Sequence, residues 1–195
     1  MFEQYDKQEK RTIDLARANR VGCLLYVPIF LFYMLPFYFF WPEKLRRDHI
    51  IGLMAADTNP GLVLLSVVCL LVAGIILHEF IHGTIWALFA RGGWKAIRFG
   101  VRWRYMTPYC HCQEPLTVGQ YSLGAIMPFL ILGLLPGVIS WVLGDLLWLG
   151  FATFFSVAAT GDFMVIDLMR KESRDTLVLD HPSEAGYYVG VRKEK

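Results

Sequence analysis

Two histidines four residues apart, His78 and His82, with a glutamate directly after the first, Glu79, are the residues of this 195-residue sequence whose types and spacing most directly imply chemistry. On an α-helix, residues four apart lie one turn above each other on one face, so both imidazoles can reach a single metal ion. Glu79 is rotated by about 100° from His78, which sets its carboxylate to meet a water polarised by that ion rather than the ion itself. His-Glu-x-x-His on a helix is therefore an arrangement for zinc-assisted hydrolysis, with two imidazole ligands and a carboxylate general base. Chance supplies about 0.01 such matches in a chain of this composition, so the pattern is specific before its setting is considered.

The setting is apolar. Gly61 to Leu77 carry no charge and lead into the pattern, and Gly83 to Ala90 continue uncharged. Ionisable groups inside such a stretch are costly at membrane depth and usually functional. This is one of four apolar stretches, Val21 to Trp41, Gly61 to Ala90, Gly119 to Leu143 and Leu146 to Met169, each long enough for the roughly 20 helical residues that cross a bilayer. The chain is 55% hydrophobic and 15% aromatic, which places it in the membrane class. The expected fold is an all-α membrane protein of four transmembrane helices, with a short β-strand or hairpin between helices 2 and 3. A polar N-terminal segment (1–20) and a tail (171–195) flank one helical domain (21–170).

Basic residues set the expected orientation, because basic loops stay cytoplasmic. Five lie in the N-terminal segment, five between the second and third stretches, and six after the fourth. Both termini and the second loop are expected on the cytoplasmic side of a bacterial cell membrane, although Lys44, Arg46 and Arg47 of the first loop run against this. The first apolar run is too long, and lacks a small-residue cleavage site, for a signal peptide. A net charge of only +2 argues against a nucleic-acid partner. Cys23 and Cys69 fall in apolar helices, and Cys110 and Cys112 in the loop expected to face a reducing compartment, so no disulfide framework is expected.

A hydrolytic zinc needs three protein ligands and one open position. Asp162 is the leading candidate for the third. Counted back from the basic ends of the second and fourth stretches at Arg91 and Arg170, His82 and Asp162 both lie roughly 12 to 14 Å deep. The small residues Ala158-Ala159-Thr160-Gly161 before it allow close helix approach. Its rival Asp167 sits three residues from Arg170 and can pair with it. The cluster Cys110-His111-Cys112 is a further candidate for the third ligand or a second metal site, but adjacent residues of an extended chain point to opposite faces.

Ile97-Arg98-Phe99-Gly100-Val101-Arg102-Trp103-Arg104-Tyr105 has the two-residue period of a strand with one wet face. Its arginines suit anionic lipid headgroups, and an edge strand there could align a substrate peptide by strand addition. Pro128 and Pro136 remove backbone donors from the third helix and can kink it to admit water.

The elements His78-Glu79-Phe80-Ile81-His82-Gly83, Cys110 to Pro115, Pro128 and Ala159-Thr160-Gly161-Asp162-Phe163 resemble the site-2 protease group of intramembrane zinc metalloproteases. They resemble more closely a family of small bacterial multi-pass membrane proteins described as zincin peptidases. The resemblance implies that His78, His82 and Asp162 bind Zn2+ and that Glu79 is the catalytic acid/base. It implies a membrane-embedded metalloprotease acting on peptide or membrane-protein substrates within the lipid bilayer. The site-2 group carries an Asn-Pro segment, then Leu-Asp-Gly at its third ligand. Here the order is Gly161-Asp162, and the asparagines are Asn19 and Asn59. The alternatives are a non-catalytic metal-binding membrane protein and a small transporter.

Overall fold

The structure is a computed structural model that describes residues 5–13, 15–49, 59–103, 107–181 and 184–192. It is mostly helical. Strand β1 (Tyr5–Thr12) leads into helix α1 (Leu15–Phe40). Helix α2 (Pro60–Phe89) is followed by strands β2 (Ile97–Arg102), β3 (Thr107–Cys112) and β4 (Leu116–Thr117). Helix α3 (Val118–Pro128) continues through a π-helical segment, Phe129–Leu134, into α4 (Leu135–Leu143). Helices α5 (Leu146–Ala158) and α6 (Thr160–Met169) precede strands β5 (Leu177–Asp180) and β6 (Gly186–Arg192).

Among the described residues, four helical stretches are long and apolar enough to cross a membrane: Arg20–Phe40, Pro60–Phe89, Val118–Leu143 and Leu146–Met169. They match the four read from the sequence to within a residue or two. Their starts have local causes. Asn59 accepts from the Gly61 N–H at 2.9 Å, with Pro60 in the first turn. Thr117 and Gln120 form a reciprocal capping box on α3. Asp145 accepts from Leu147 and Trp148, so the Gly144-Asp145 turn both ends α4 and begins α5.

The third and fourth stretches are not continuous α-helices. Pro128 and Pro136 each lack a backbone N–H, and the π segment lies between them. In the fourth stretch, Ala159 (φ −75°, ψ 0°) interrupts the helix and opens the first turn of α6, which carries Asp162.

The all-α expectation needs correction at the chain ends. Strands β1, β6, β5 and β4 form an antiparallel sheet, with Lys10 opposite Tyr188 and Val178 opposite Val189. The N-terminal segment and tail, read from sequence as short polar ends, therefore fold together. The tail's Leu177-Val178-Leu179 and Tyr187-Tyr188-Val189 are β-branched and aromatic runs that suit a half-buried sheet. Their buried face covers the ends of the helices. Val178, Tyr187 and Val189 join Trp86, Leu116, Tyr121, Val165 and Met169 in the largest core. Most of the second stretch's apolar surface is exposed in the monomer.

The strand expected between helices 2 and 3 is present as β2 and pairs with β3 as a hairpin, Ile97 opposite Cys112. Arg104 and Tyr105, the end of that expected strand, lie outside the described residues. The hairpin packs on α2 at Gly83. A Cβ there would sit 2.6 Å from Phe99 Cζ and 3.0 Å from Ile97 Cγ2, so the glycine next to His82 is what lets the hairpin lie close to the helix.

Candidate metal centre

His78 and His82 project from one face of α2, and both are buried. Their Nε2 atoms lie 3.2 Å apart. Asp162, from the first turn of α6, reaches both: Oδ2 is 3.2 Å from His78 Nε2 and Oδ1 is 3.4 Å from His82 Nε2. Among the described residues, this is the one group of three His, Cys, Asp or Glu side chains whose ligand atoms all lie within 4.8 Å of one another. A tetrahedral ion with bonds of roughly 2.0–2.1 Å separates its ligand atoms by about 3.3 Å, so this spacing fits zinc. Two imidazoles and one carboxylate are also a donor set that catalytic zinc takes.

The surroundings orient the two histidines unequally. His82 Nδ1 lies 2.9 Å from the carbonyl oxygen of Gly124, a buried bond that directs Nε2 towards Asp162 and His78. Trp86, one turn further along α2, stacks on the His82 ring at 5.2 Å and 15°, and its Nε1 donates to Tyr121 O at 3.1 Å. His78 Nδ1, by contrast, is buried with no hydrogen-bond partner among the described residues.

Glu79 lies beside the backbone N–H of Cys110 on β3, close enough to His82, His78 and Asp162 to interact with their charges. His78, Glu79, His82 and Asp162 line one cavity of about 260 Å³, together with β3 residues Pro108 to His111.

The Cys110-His111-Cys112 cluster does not converge on the histidine pair. The two cysteines share one face of β3 and His111 takes the other, as the strand period requires. His111 Nδ1 bonds Asp180 Oδ2 at 2.9 Å. Burial, with Glu79 nearby, pushes the Cys110 thiol well above its usual range. Burial also pushes Cys112 up to about 11. Neither thiol belongs to the group of ligand atoms, all within 4.8 Å of one another, that His78, His82 and Asp162 form. Asp167 pairs with Arg170 at 3.1 Å on the exposed side of α6.

Strand β3, not the β2 strand singled out in the sequence, lines the cavity. The Cys110 N–H faces Glu79, the Cys112 N–H donates to Asp180 Oδ2 at 3.3 Å, and Pro108 has no N–H.

Sequence reasoning missed Asp180. This buried carboxylate also accepts from the Tyr121 hydroxyl at 2.9 Å. Its signal is a lone acid ending an apolar strand run, Leu177-Val178-Leu179, in the tail taken from sequence as a short polar end. The turn after it, with His181, Glu184, Ala185 and Gly186, lines the cavity opposite the helices. Lys10 pairs with Glu184 at 2.6 Å and ties β1 to this turn.

No curated protein and no solved structure gives a match. A family profile does, and it spans α2 from within the second stretch, the hairpin, the third and fourth stretches and the start of β5, and so takes in His78, Glu79, His82 and Asp162. With residues 71–177 matched, more than half of its length, the chain belongs to the family described as "Putative zincin peptidase".

Proposed function

We propose that the chain is a membrane-embedded zinc metalloprotease that hydrolyses peptide bonds of membrane or membrane-proximal proteins. The observation that carries this reading is the convergence of three ligand atoms, 3.2–3.4 Å from their neighbours, with Glu79 on the same cavity. Four apolar helical stretches support the membrane setting. The pattern shared with site-2 proteases supports a site within the bilayer's thickness, near the basic ends of the second and fourth stretches. The same basic ends support cytoplasmic termini in a bacterial cell membrane.

In this reading His78, His82 and Asp162 hold Zn2+, which supplies Lewis acidity when bound. Glu79 takes a proton from the attacking water and returns it to the leaving amine. The Cys110 N–H keeps that carboxylate aimed into the cavity. His111, held by Asp180, offers its remaining ring nitrogen to a substrate peptide. The sheet built from the chain ends forms the far wall and limits access.

Purified wild-type protein is expected to hold one zinc per chain, and His78→Ala to lose it. Glu79→Gln is expected to keep the metal but to leave uncut a membrane protein that the wild type cleaves. Comparing membrane proteomes of cells carrying each form supplies activity and substrate together. A wild-type protein without stoichiometric metal overturns the reading.

A further inference from the structure

The bond that orients His82 has an origin in the backbone of another helix. In an α-helix the carbonyl of residue i accepts the N–H of residue i+4. For Gly124 that donor would be residue 128, which is Pro128 and has no N–H. The next N–H along, that of Phe129, goes to Ile126 O instead. Gly124 therefore presents a buried carbonyl without its helical partner, and His82 Nδ1 lies 2.9 Å from it. An unpartnered buried carbonyl is costly, so the pairing serves both groups. Gly124 also lets the two helices approach: a Cβ there would fall 2.1 Å from Trp86 Nε1, the side chain stacked on His82.

We propose that Pro128 is a positioning residue for the metal centre: by withholding the helical donor from Gly124, it leaves a carbonyl that takes the Nδ1–H of His82 and fixes Nε2 as the metal-facing nitrogen. The proposal rests on the reading of His82 as a zinc ligand. It makes the two imidazoles unequal: His82 is the anchored ligand and His78, whose Nδ1 has no partner among the described residues, the adjustable one. Pro136 provides the control. It follows the π segment in the same stretch, in a register where the Leu135 N–H reaches back five residues to Leu130 O, so the donor it withholds is one for Ile131 O and not for Gly124 O.

Pro128→Ala restores an N–H that competes with His82 for the Gly124 carbonyl. Zinc affinity, measured by competition with a chromogenic chelator on the detergent-solubilised full chain, is expected to fall about 10- to 100-fold in Pro128→Ala, the range for losing an outer partner of a ligating histidine. Pro136→Ala is expected to stay near wild type. In the zinc-loaded wild type, 15N-histidine NMR is expected to show His82 bound through Nε2, with an Nδ1–H that exchanges more slowly than that of His78. Pro128→Ala should speed that exchange. Should Pro128→Ala not fold, the wild-type spectrum alone decides. Wild-type affinity in folded Pro128→Ala, or His82 bound through Nδ1, overturns this proposal and leaves the metal reading intact. A wild-type chain that binds no zinc overturns the metal reading itself.

Discussion

The hydroxyl of Tyr121 donates to Oδ1 of Asp180 at 2.9 Å, a buried bond that joins the third apolar stretch to the sheet made from the chain ends. The other oxygen of the same carboxylate accepts from His111 Nδ1 and the Cys112 N–H. Asp180 thus collects three donors from two elements that wall the cavity.

Removing that acceptor leaves three donors unpaired, those of Tyr121 and Cys112 buried and that of His111 partly buried. Asp180→Ala is expected to lower the unfolding free energy by about 3 kcal/mol or more, since each orphaned buried group costs about 1–3 kcal/mol. Tyr121→Phe removes only one bond and should cost about half as much. Both are measured by unfolding in detergent with increasing SDS. An Asp180→Ala protein as stable as wild type shows that the carboxylate does not tie the sheet to the helices.

Asp162 and Asp167 lie five positions apart on α6 and are expected to behave oppositely. Asp162 touches both histidines, whereas Asp167 pairs with Arg170 in the open. Asp162→Ala should weaken zinc binding by at least about 100-fold, more than the loss of an outer partner does. Asp167→Ala should leave it unchanged, because an exposed pair contributes about 0–1 kcal/mol. Equal affinities across the pair would assign the third ligand elsewhere.

The helices and the grouping of His78, His82 and Asp162 were legible because each has a local signal. Apolar length marks a span, the four-residue spacing marks His78 and His82, and helix rise places Asp162 at the depth of His82. Asp180 was not legible, since its partners Tyr121 and His111 are distant in sequence and come together only when the tail folds onto the hairpin. The sheet was hidden because β1, Tyr-Asp-Lys-Gln-Glu-Lys-Arg-Thr, has almost no apolar alternation and is held in the sheet by its backbone pairing with β6. Pro128 stood in plain view as a kink. That it frees the carbonyl of Gly124 follows from counting back four residues, but the arrival of His82 there needed helix packing.

Cys112 sets a pH dependence. Burial raises its thiol from the ordinary 9.0 to about 11 in the folded chain. Below about pH 9 the thiol is neutral in folded and unfolded chains alike, and its stabilising effect is fully present. Between pH 9 and 11 the unfolded chain releases the proton and the folded chain does not, so stability falls as pH rises. Cys110 shifts in the same direction. Cys112→Val, compared with wild type by thermal unfolding from pH 8 to 11, should lose less stability over that range. Its lost bond to Glu114 O gives only a pH-independent offset. Parallel curves for the two proteins would show that Cys112 is not shielded.

Gly124 and Trp86 test whether close helix contact, and not helix propensity, fixes the face of α2 that carries His78 and His82. Alanine is the better helix former by about 1 kcal/mol, so on propensity alone Gly124→Ala should stabilise α3. The added methyl, however, would lie 2.1 Å from Trp86 Nε1, 2.3 Å from its Cδ1 and 2.9 Å from its Cε2. Trp86 is buried and held by stacking on both His82 and Tyr121, so the ring has no free direction in which to yield. Overpacking of this kind costs about 1–3 kcal/mol, which outweighs the propensity gain. Gly124→Ala is therefore expected to destabilise the protein and to weaken zinc binding through the displaced His82. Trp86→Phe removes the clashing Nε1 at the cost of its bond to Tyr121 O. In the double variant Gly124→Ala/Trp86→Phe the smaller ring makes room for the methyl, so the two losses should be less than additive by about 1 kcal/mol or more. Strictly additive losses in that cycle, measured by SDS unfolding, would mean that the helices do not meet at this pair.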